Sequence, residues 1–432
     1  MALHTPEGYR AFTPDSLRPW LASLPALAAR LGGSPQQWQI SEVGDGNLNL
    51  VFLVDGTDGG VCVKQSLPYV RVVGESWPMP LERAWFEYQH AVVAGPHLAG
   101  LIPAPLHYDA TLFASVVALL RPHRVLRGEL LAGQRYPQAA SAVAEFVARS
   151  AVHTSPLAQP LEAVAGQVAG FAANLALTRV TAELVFADPF EALPRNRWTS
   201  PQLDDTVAAL RANAPLRAAV AELGHRFLTR REALLHGDLH TGSVMVSADD
   251  TRVIDAEFAL YGPVGFDTGV FVANLLMAYF AQPGYSDSDA AHSGYADWLL
   301  EQVAVFWQHF ARRYDALWAA HASGDAWPQR LFADADGQAA FAAGRARRLA
   351  DIYQDTLGFA GAEIVRRITG FAHNADFERI ADPALRARCE QAALALASEL
   401  LLQPQAFGHI GAVLARAQAQ ADHHTATLEA AA

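Results

Sequence analysis

One stretch constrains this chain more than any other: Leu234-Leu235-His236-Gly237-Asp238-Leu239-His240-Thr241-Gly242-Ser243-Val244-Met245-Val246, a polar loop between two apolar flanks. Flanks of that kind are buried, so the loop displays its side chains from a rigid base. Asp238 is suited to orient a hydroxyl and to accept its proton as the oxygen attacks phosphorus. The plainer reading is a turn-forming aspartate.

A few residues later Arg252-Val253-Ile254-Asp255-Ala256-Glu257-Phe258 ends another apolar stretch. In an extended segment Asp255 and Glu257 fall on one side. Paired hard oxygens of this kind suit Mg²⁺ carrying ATP phosphates, with Asp255 as principal ligand and Glu257 as a second or water-mediated one. A solvated acidic strand end would leave the same pattern.

Upstream, Glu42-Val43-Gly44-Asp45-Gly46-Asn47-Leu48-Asn49-Leu50-Val51-Phe52 places Gly44, Gly46 and Asn47 in a turn whose N–H groups could drape over phosphates. Gly-Asp-Gly is also an ordinary hairpin turn. Its weight rises because Lys64 follows Val61, Cys62 and Val63 on the partner strand, where a cation can reach α- and β-phosphates. Glu87, or less favourably Glu82, can hold that lysine from the next helix.

At 432 residues the chain exceeds one ordinary core, and two lobes are expected. Val51, Leu53, Val61 and Val63 at period two predict a strand, a turn at Asp55 to Gly60 and a partner strand. Pro80 opens a helix running to Val93, the lone helix beside this antiparallel sheet, ended by Gly95 and Pro96. Leu112 to Leu120 reads as a buried strand stopped at Arg121-Pro122. The boundary is set there, giving lobes 1–122 and 123–432. Helical spacing marks Ala139–His153, Leu161–Ala176, Leu203–Leu228, Ala290–Ala319 and most of the chain after Phe341, so the second lobe is mainly helical. The Ala-rich end, Ala417 to Ala432, has little to bury and is expected to fray.

About half the residues are apolar, the net charge is −12 and the basic residues form no long block, which argues against a nucleic-acid partner. Cys62 and Cys389 make no disulfide framework or metal spacing. Met1 to Leu17 does not read as a signal peptide. The most apolar run, Val270 to Ala281, falls short of the ~20 residues that cross a bilayer and reads as a buried helix. A cytoplasmic protein with no membrane partner is the resulting expectation.

Taken in order, the Gly turn, strand lysine, helix glutamate, His-Gly-Asp loop and metal-site aspartate resemble the protein-kinase-like fold in its aminoglycoside and choline kinase branch. The implied class is α+β, with a small antiparallel-sheet lobe plus helix and a larger, mainly helical lobe. Leu235 to Ser243 is similar to the methylthioribose kinase family, since antibiotic kinases read Pro-Gly-Asn where this chain has Thr241-Gly242-Ser243. The change removes an asparagine that binds metal in relatives, and Glu257 supplies an oxygen in its place; Ser243 inherits the position at the nucleotide. Further matching stretches are Val63 to Arg71, Gly74-Glu75-Ser76-Trp77-Pro78, Tyr261 to Gly269, and Gly361 to His373. The last carries Arg366 and Arg367, an adjacent pair that the family uses at the sugar. Neighbours on a helix point about 100° apart, so one can face the cleft while the other braces a carboxylate or the transferred phosphoryl; a partly solvated basic helix turn is the plainer reading. Asp267 is implied to hydrogen-bond the catalytic loop. The lobe connection, Ala118-Leu119-Leu120-Arg121-Pro122, departs from relatives that have an acidic residue there, and no adenine contact is assigned.

The resemblance implies transfer of the γ-phosphoryl of ATP, with Mg²⁺, to the anomeric hydroxyl of 5-methylthioribose in methionine salvage, by a homodimer. Rival readings are a kinase of another 5-modified ribose such as 5-deoxyribose, an aminoglycoside or choline kinase, and a nucleotide-binding scaffold without activity. Cationic acceptors want an acidic pocket, against which the Arg366–Arg367 pair argues.

Overall fold

The computed structural model describes residues 5–44, 48–71, 73–285 and 292–429. An antiparallel five-stranded sheet runs in the order Gln39–Glu42, Asn49–Asp55, Gly60–Ser66, Ala114–Ala118, Pro105–Asp109. The expected hairpin is present, but Asn49–Asp55 buries the face opposite to the one its spacing implied. Phe52 and Val54 are fully buried and lie across from Val63 and Val61, whereas Val51 and Leu53 pair with Lys64 and Cys62 on a half-buried face. Leu50 to Val54 is apolar throughout, so alternation had nothing to show.

Two unforeseen helices, Pro14–Ala22 and Pro25–Leu31, cover the buried face with Leu17, Trp20, Leu21, Leu27 and Leu31. Each large apolar side chain so buried contributes roughly 1.5–3 kcal/mol. The first helix is capped by Thr13, whose Oγ1 accepts from the Ser16 N–H at 3.2 Å. The Arg83–Ala94 helix is therefore one of three near the sheet. It packs against the sheet's other side, yet its Phe86 and Ala94 belong to the core of the helical part.

In that part Ala139–His153 forms as expected. The segment read as Leu161–Ala176 breaks into Leu161–Phe171 and Leu175–Phe186. At the break the buried Asn174 donates from Nδ2 to the carbonyls of Glu257 (2.9 Å) and Ala259 (3.0 Å). The segment Leu203–Leu228 likewise splits into Asp204–Ala212 and Ala214–Thr229. Asn213 caps the second, accepting from the Leu216 N–H at 3.1 Å, and Pro215 stands in its first turn. Tyr295–Ala320 replaces the longer Ala290–Ala319 reading.

Gly265–Phe280 contains the apolar run and is buried on every side. It packs along Ala335–Thr369, a helix of 35 residues and about 52 Å whose last turns are wholly buried. Gly269 permits the close approach: a Cβ there would lie 2.7 Å from Phe359 Cβ and 2.8 Å from the Thr356 carbonyl oxygen. Two results for the site follow from this contact. Asp267 is fixed in the first turn of one helix, and Arg366 and Arg367 in the last turn of the other. Pro383–Leu402 and Ile410–Glu429 complete the helical part, so the Ala-rich end continues as helix to Glu429 instead of fraying at Ala417. Among the described residues no single helix is long and apolar enough to cross a membrane.

Candidate active site

Short strand pairs hold the two loops. Ala233–Leu235 pairs with Leu260–Gly262, and Val244–Val246 with Thr251–Val253. Buried Asp267 accepts the N–H groups of His236 (2.7 Å) and Gly237 (3.0 Å), the brace expected of it. Gly237 has φ +83°, and a Cβ there would lie 2.2 Å from the Phe258 carbonyl oxygen, so a side chain is excluded twice over. His236 Nε2 lies 2.7 Å from the Ile254 carbonyl oxygen and donates to it, while Nδ1 accepts the Asp238 N–H at 3.2 Å. One imidazole thus ties Asp238 to the segment that carries Asp255.

Around Asp238 positive charge gathers. Arg366 Nη2 and Arg367 Nη2 stand 3.7 Å and 3.6 Å from its Oδ1, and His240 Nε2 stands 3.4 Å from Oδ2. Burial raises the Asp238 carboxyl, but His240, Arg366 and Arg367 outweigh it and hold the group well below its ordinary range. Burial lowers His240, against the pull of Asp238. Behind the pair is Glu363, with Oε1 2.7 Å from Arg367 Nε and Oε2 3.1 Å from Arg366 Nε. Both arginines therefore brace one carboxylate and approach another, where the sequence implied a division between them. Arg127 lines the same region, donating to Asn274 Oδ1 (2.8 Å) and Thr241 Oγ1 (3.2 Å).

On the other side of the loop Lys64 donates to Glu87 Oε1 at 2.8 Å and to Asp255 Oδ1. Burial alone would lower the Lys64 ammonium; Asp255 and Glu87 raise it well above its usual value, so it stays charged. Glu82 is exposed at the start of the helix and makes no pair with Lys64.

The extended segment expected to align Asp255 with Glu257 is absent. Asp255 adopts a left-handed conformation (φ +69°), and Ala256–Phe258 forms a 3₁₀ turn that redirects the chain. The Asp255 side chain is 41% exposed, and its carboxyl is held down, against burial, mainly by Lys64. Glu257 is buried and accepts through Oε2 from Asn49 Nδ2 at 3.0 Å, with Arg83 Nε 3.4 Å away. Asp255 is thus an accessible hard oxygen donor of the kind Mg²⁺ takes, while one oxygen of Glu257 is committed to the fold. Among the described residues no group of three or more His, Cys, Asp or Glu could hold a metal unaided. Mg²⁺ bound largely by phosphates and water requires none.

Gly44 lies in an exposed turn, and Gly46 and Asn47 fall outside the described residues. Ser243 is buried, with Oγ 3.1 Å from the Asp238 carbonyl oxygen and 3.2 Å from His240 Nδ1, so its hydroxyl serves the loop. Trp77 meets Phe371 with ring centroids 5.3 Å apart, bringing the Gly74–Pro78 stretch against the segment that follows the arginine pair.

Sequence reasoning did not single out Glu363, Arg127, Asn174 or Asn49. Glu363 had a readable signal, since a carboxylate three and four residues before two arginines faces both on a helix. Arg127 had none, because only the fold brings it to Thr241 and Asn274.

Residues 39–298 match the model of the phosphotransferase enzyme family, APH. Methylthioribose kinase of Escherichia coli O45:K1 (strain S88 / ExPEC) is 39% identical over 417 residues, covering 96% of this chain and 98% of that protein. Methylthioribose kinase 1 of Oryza sativa subsp. japonica is 39% identical over 419 residues, 95% and 96% of the two chains. A solved structure of glucosamine kinase in complex with glucosamine, ADP and inorganic phosphate aligns over 92% of this chain and 88% of that one, at 16% identity and a TM-score of 0.45. With Lys64 paired to Asp255, Asp238 tied through His236 to the segment that carries Asp255, and relatives this similar over nearly its whole length, the chain belongs to the phosphotransferase enzyme family and, within it, to the methylthioribose kinases.

Proposed function

We propose that the chain transfers the γ-phosphoryl group of ATP to the anomeric hydroxyl of 5-methylthioribose, giving 5-methylthioribose 1-phosphate and ADP in methionine salvage. The observation that carries this reading is Asp238, an ionised carboxylate set between an arginine pair and, across the His236 link, the Lys64–Asp255 pair. The relatives named methylthioribose kinase support the acceptor.

The acceptor hydroxyl donates to Asp238, which aims its oxygen at the γ-phosphorus. The new O–P bond forms as the bond to the β–γ bridging oxygen breaks, and the proton passes to Asp238. So acidic a carboxyl is a weak base, which fits a loose transition state where orientation matters more than early proton removal. Lys64 meets the α- and β-phosphates, to which Gly44, Gly46 and Asn47 are assigned as well, with Ser243 backing the catalytic loop. Asp255 would hold Mg²⁺, with Glu257 second; when bound, the ion offsets phosphate charge. Arg366 and Arg367 bind acceptor oxygens and the departing phosphoryl group.

The nucleotide is held between lobes 1–122 and 123–432. Two free cysteines support a reducing, cytoplasmic setting, and the functional unit is a homodimer. A small-molecule sugar is the acceptor, and the two guanidinium groups beside Asp238 disfavour cationic aminoglycosides and choline.

The test is ADP release with ATP and Mg²⁺ across a panel of methylthioribose, 5-deoxyribose, ribose, choline and an aminoglycoside. Methylthioribose should give the highest kcat/KM, with a 1-phosphate identified by phosphorus NMR. Preference for a cationic acceptor would overturn the reading.

A further inference from the structure

Arginine beside an ionised carboxylate ordinarily closes to a bidentate pair near 2.7–2.9 Å. Here two guanidinium groups face one Asp238 oxygen and neither closes, stopping at 3.6 Å and 3.7 Å. Arg367 Nη2 is buried and has no hydrogen-bond partner, although it points towards that oxygen. Something restrains the pair.

The restraint is visible one turn back on the same helix. Glu363 is 1% exposed; it accepts a hydrogen bond from Arg367 Nε at i+4 and pairs by charge alone with Arg366 Nε, 3.1 Å away at i+3, leaving the outer N–H groups of both arginines uncommitted to it. Burial, and after it the charge of Arg367, weaken the hold of Arg366 on its proton, and the Glu363 charge opposes both; at Arg367 the carboxylates, Glu363 foremost, prevail over burial. Arg127, Asp376 and His240 act on the same region from other elements, but among the described residues Glu363 alone approaches both Nε atoms.

We propose that Glu363 is a positioning residue that holds Arg366 and Arg367 back from Asp238, so that the carboxylate remains free for the acceptor hydroxyl and the outer guanidinium N–H groups remain free for acceptor and phosphoryl oxygens. This rests on the roles given above to Asp238 and the arginine pair. Without Glu363 the guanidinium groups close onto Asp238 and occupy the place of the acceptor. Retaining the arginines is therefore insufficient; they must be kept at a distance.

The experiment is steady-state kinetics on the full chain with Glu363→Gln, Glu363→Asp, Arg367→Gln and the Glu363→Gln/Arg367→Gln double variant, each checked for folding by thermal melting. Glu363→Gln should lower kcat about 100-fold and raise the acceptor KM several-fold while the ATP KM changes less than about twofold. Glu363→Asp, which keeps the charge, should recover part of the loss. In the Arg367→Gln background, Glu363→Gln should cost much less than it does alone, because it acts through the arginine. Wild-type kcat in Glu363→Gln, or an undiminished cost in the double variant, would overturn the proposal. Should Glu363→Gln fail to fold, Glu363→Asp and its cycle with Arg367→Gln give the same decision. If wild type prefers another pentose, the series is run on that pentose, which separates failure of the acceptor assignment from failure of this inference.

Discussion

Lys64 Nζ and Glu87 Oε1 lie 2.8 Å apart, joining a strand of the sheet to the helix whose Phe86 and Ala94 belong to the helical core. The lysine proposed to meet phosphate is thereby fixed relative to both parts of the protein. Glu87→Gln keeps the shape and removes the charge, leaving Lys64 drawn to Asp255 alone. The ATP KM should rise about tenfold with the acceptor KM little changed, as separate titrations of the two substrates would measure.

Arg366→Lys and Arg367→Lys preserve charge but lose the planar fork that meets two oxygens. Each should raise the acceptor KM about tenfold or more while ATP binding, followed by calorimetry, stays within about twofold.

Asp255 and Glu257 differ in their commitments, and their variants should differ too. Asp255→Asn should raise the Mg²⁺ concentration for half-maximal activity at least about tenfold. Glu257→Gln should move that value less and lower the melting temperature more, since Asn49 and Arg83 lean on its carboxylate. Mg²⁺ titrations beside thermal melts distinguish the two.

Acid stability should depend on Glu145, which pairs with Arg149, His309 and Arg313 and carries none of the roles assigned above. Burial works against its charge, but hydrogen bonds from Arg313, Arg149 and His309 prevail and lower the carboxyl to about 2 from 4.5. A depressed carboxyl stabilises fully above its unfolded value, and that contribution is lost as pH falls from about 4.5 towards 2. Glu145→Gln should cost about 1–3 kcal/mol at pH 7 and flatten this part of the acid profile, as urea melts at successive pH values would record.

Much of the site was legible because its residues sit in short, unusual strings. His236-Gly237-Asp238 needed glycine at a positive φ, and Asp267 needed to reach two loop N–H groups, so both marked themselves in the chain. The hairpin, the Lys64 strand and the Glu87 helix followed from period and punctuation. What could not be read was set by tertiary contact. The buried face of Asn49–Asp55 was ambiguous in an apolar run, and the turn at Asp255 placed Glu257 against Asn49 instead of beside the Asp255 carboxylate. Asn213-Ala214-Pro215 did carry a helix-start signal, and the break there was readable in principle. The break at Asn174 depends on carbonyls more than eighty residues away, which no local pattern encodes.

Asp238→Asn is the decisive variant, because it keeps the side chain's shape and removes the negative charge and basicity that the proposed mechanism uses on the acceptor hydroxyl. With ATP, Mg²⁺ and methylthioribose, sugar-dependent ADP release should fall at least about 10³-fold while calorimetry finds ATP binding within about threefold of wild type. Turnover retained within tenfold of wild type would contradict the role assigned to Asp238 and the mechanism built on it.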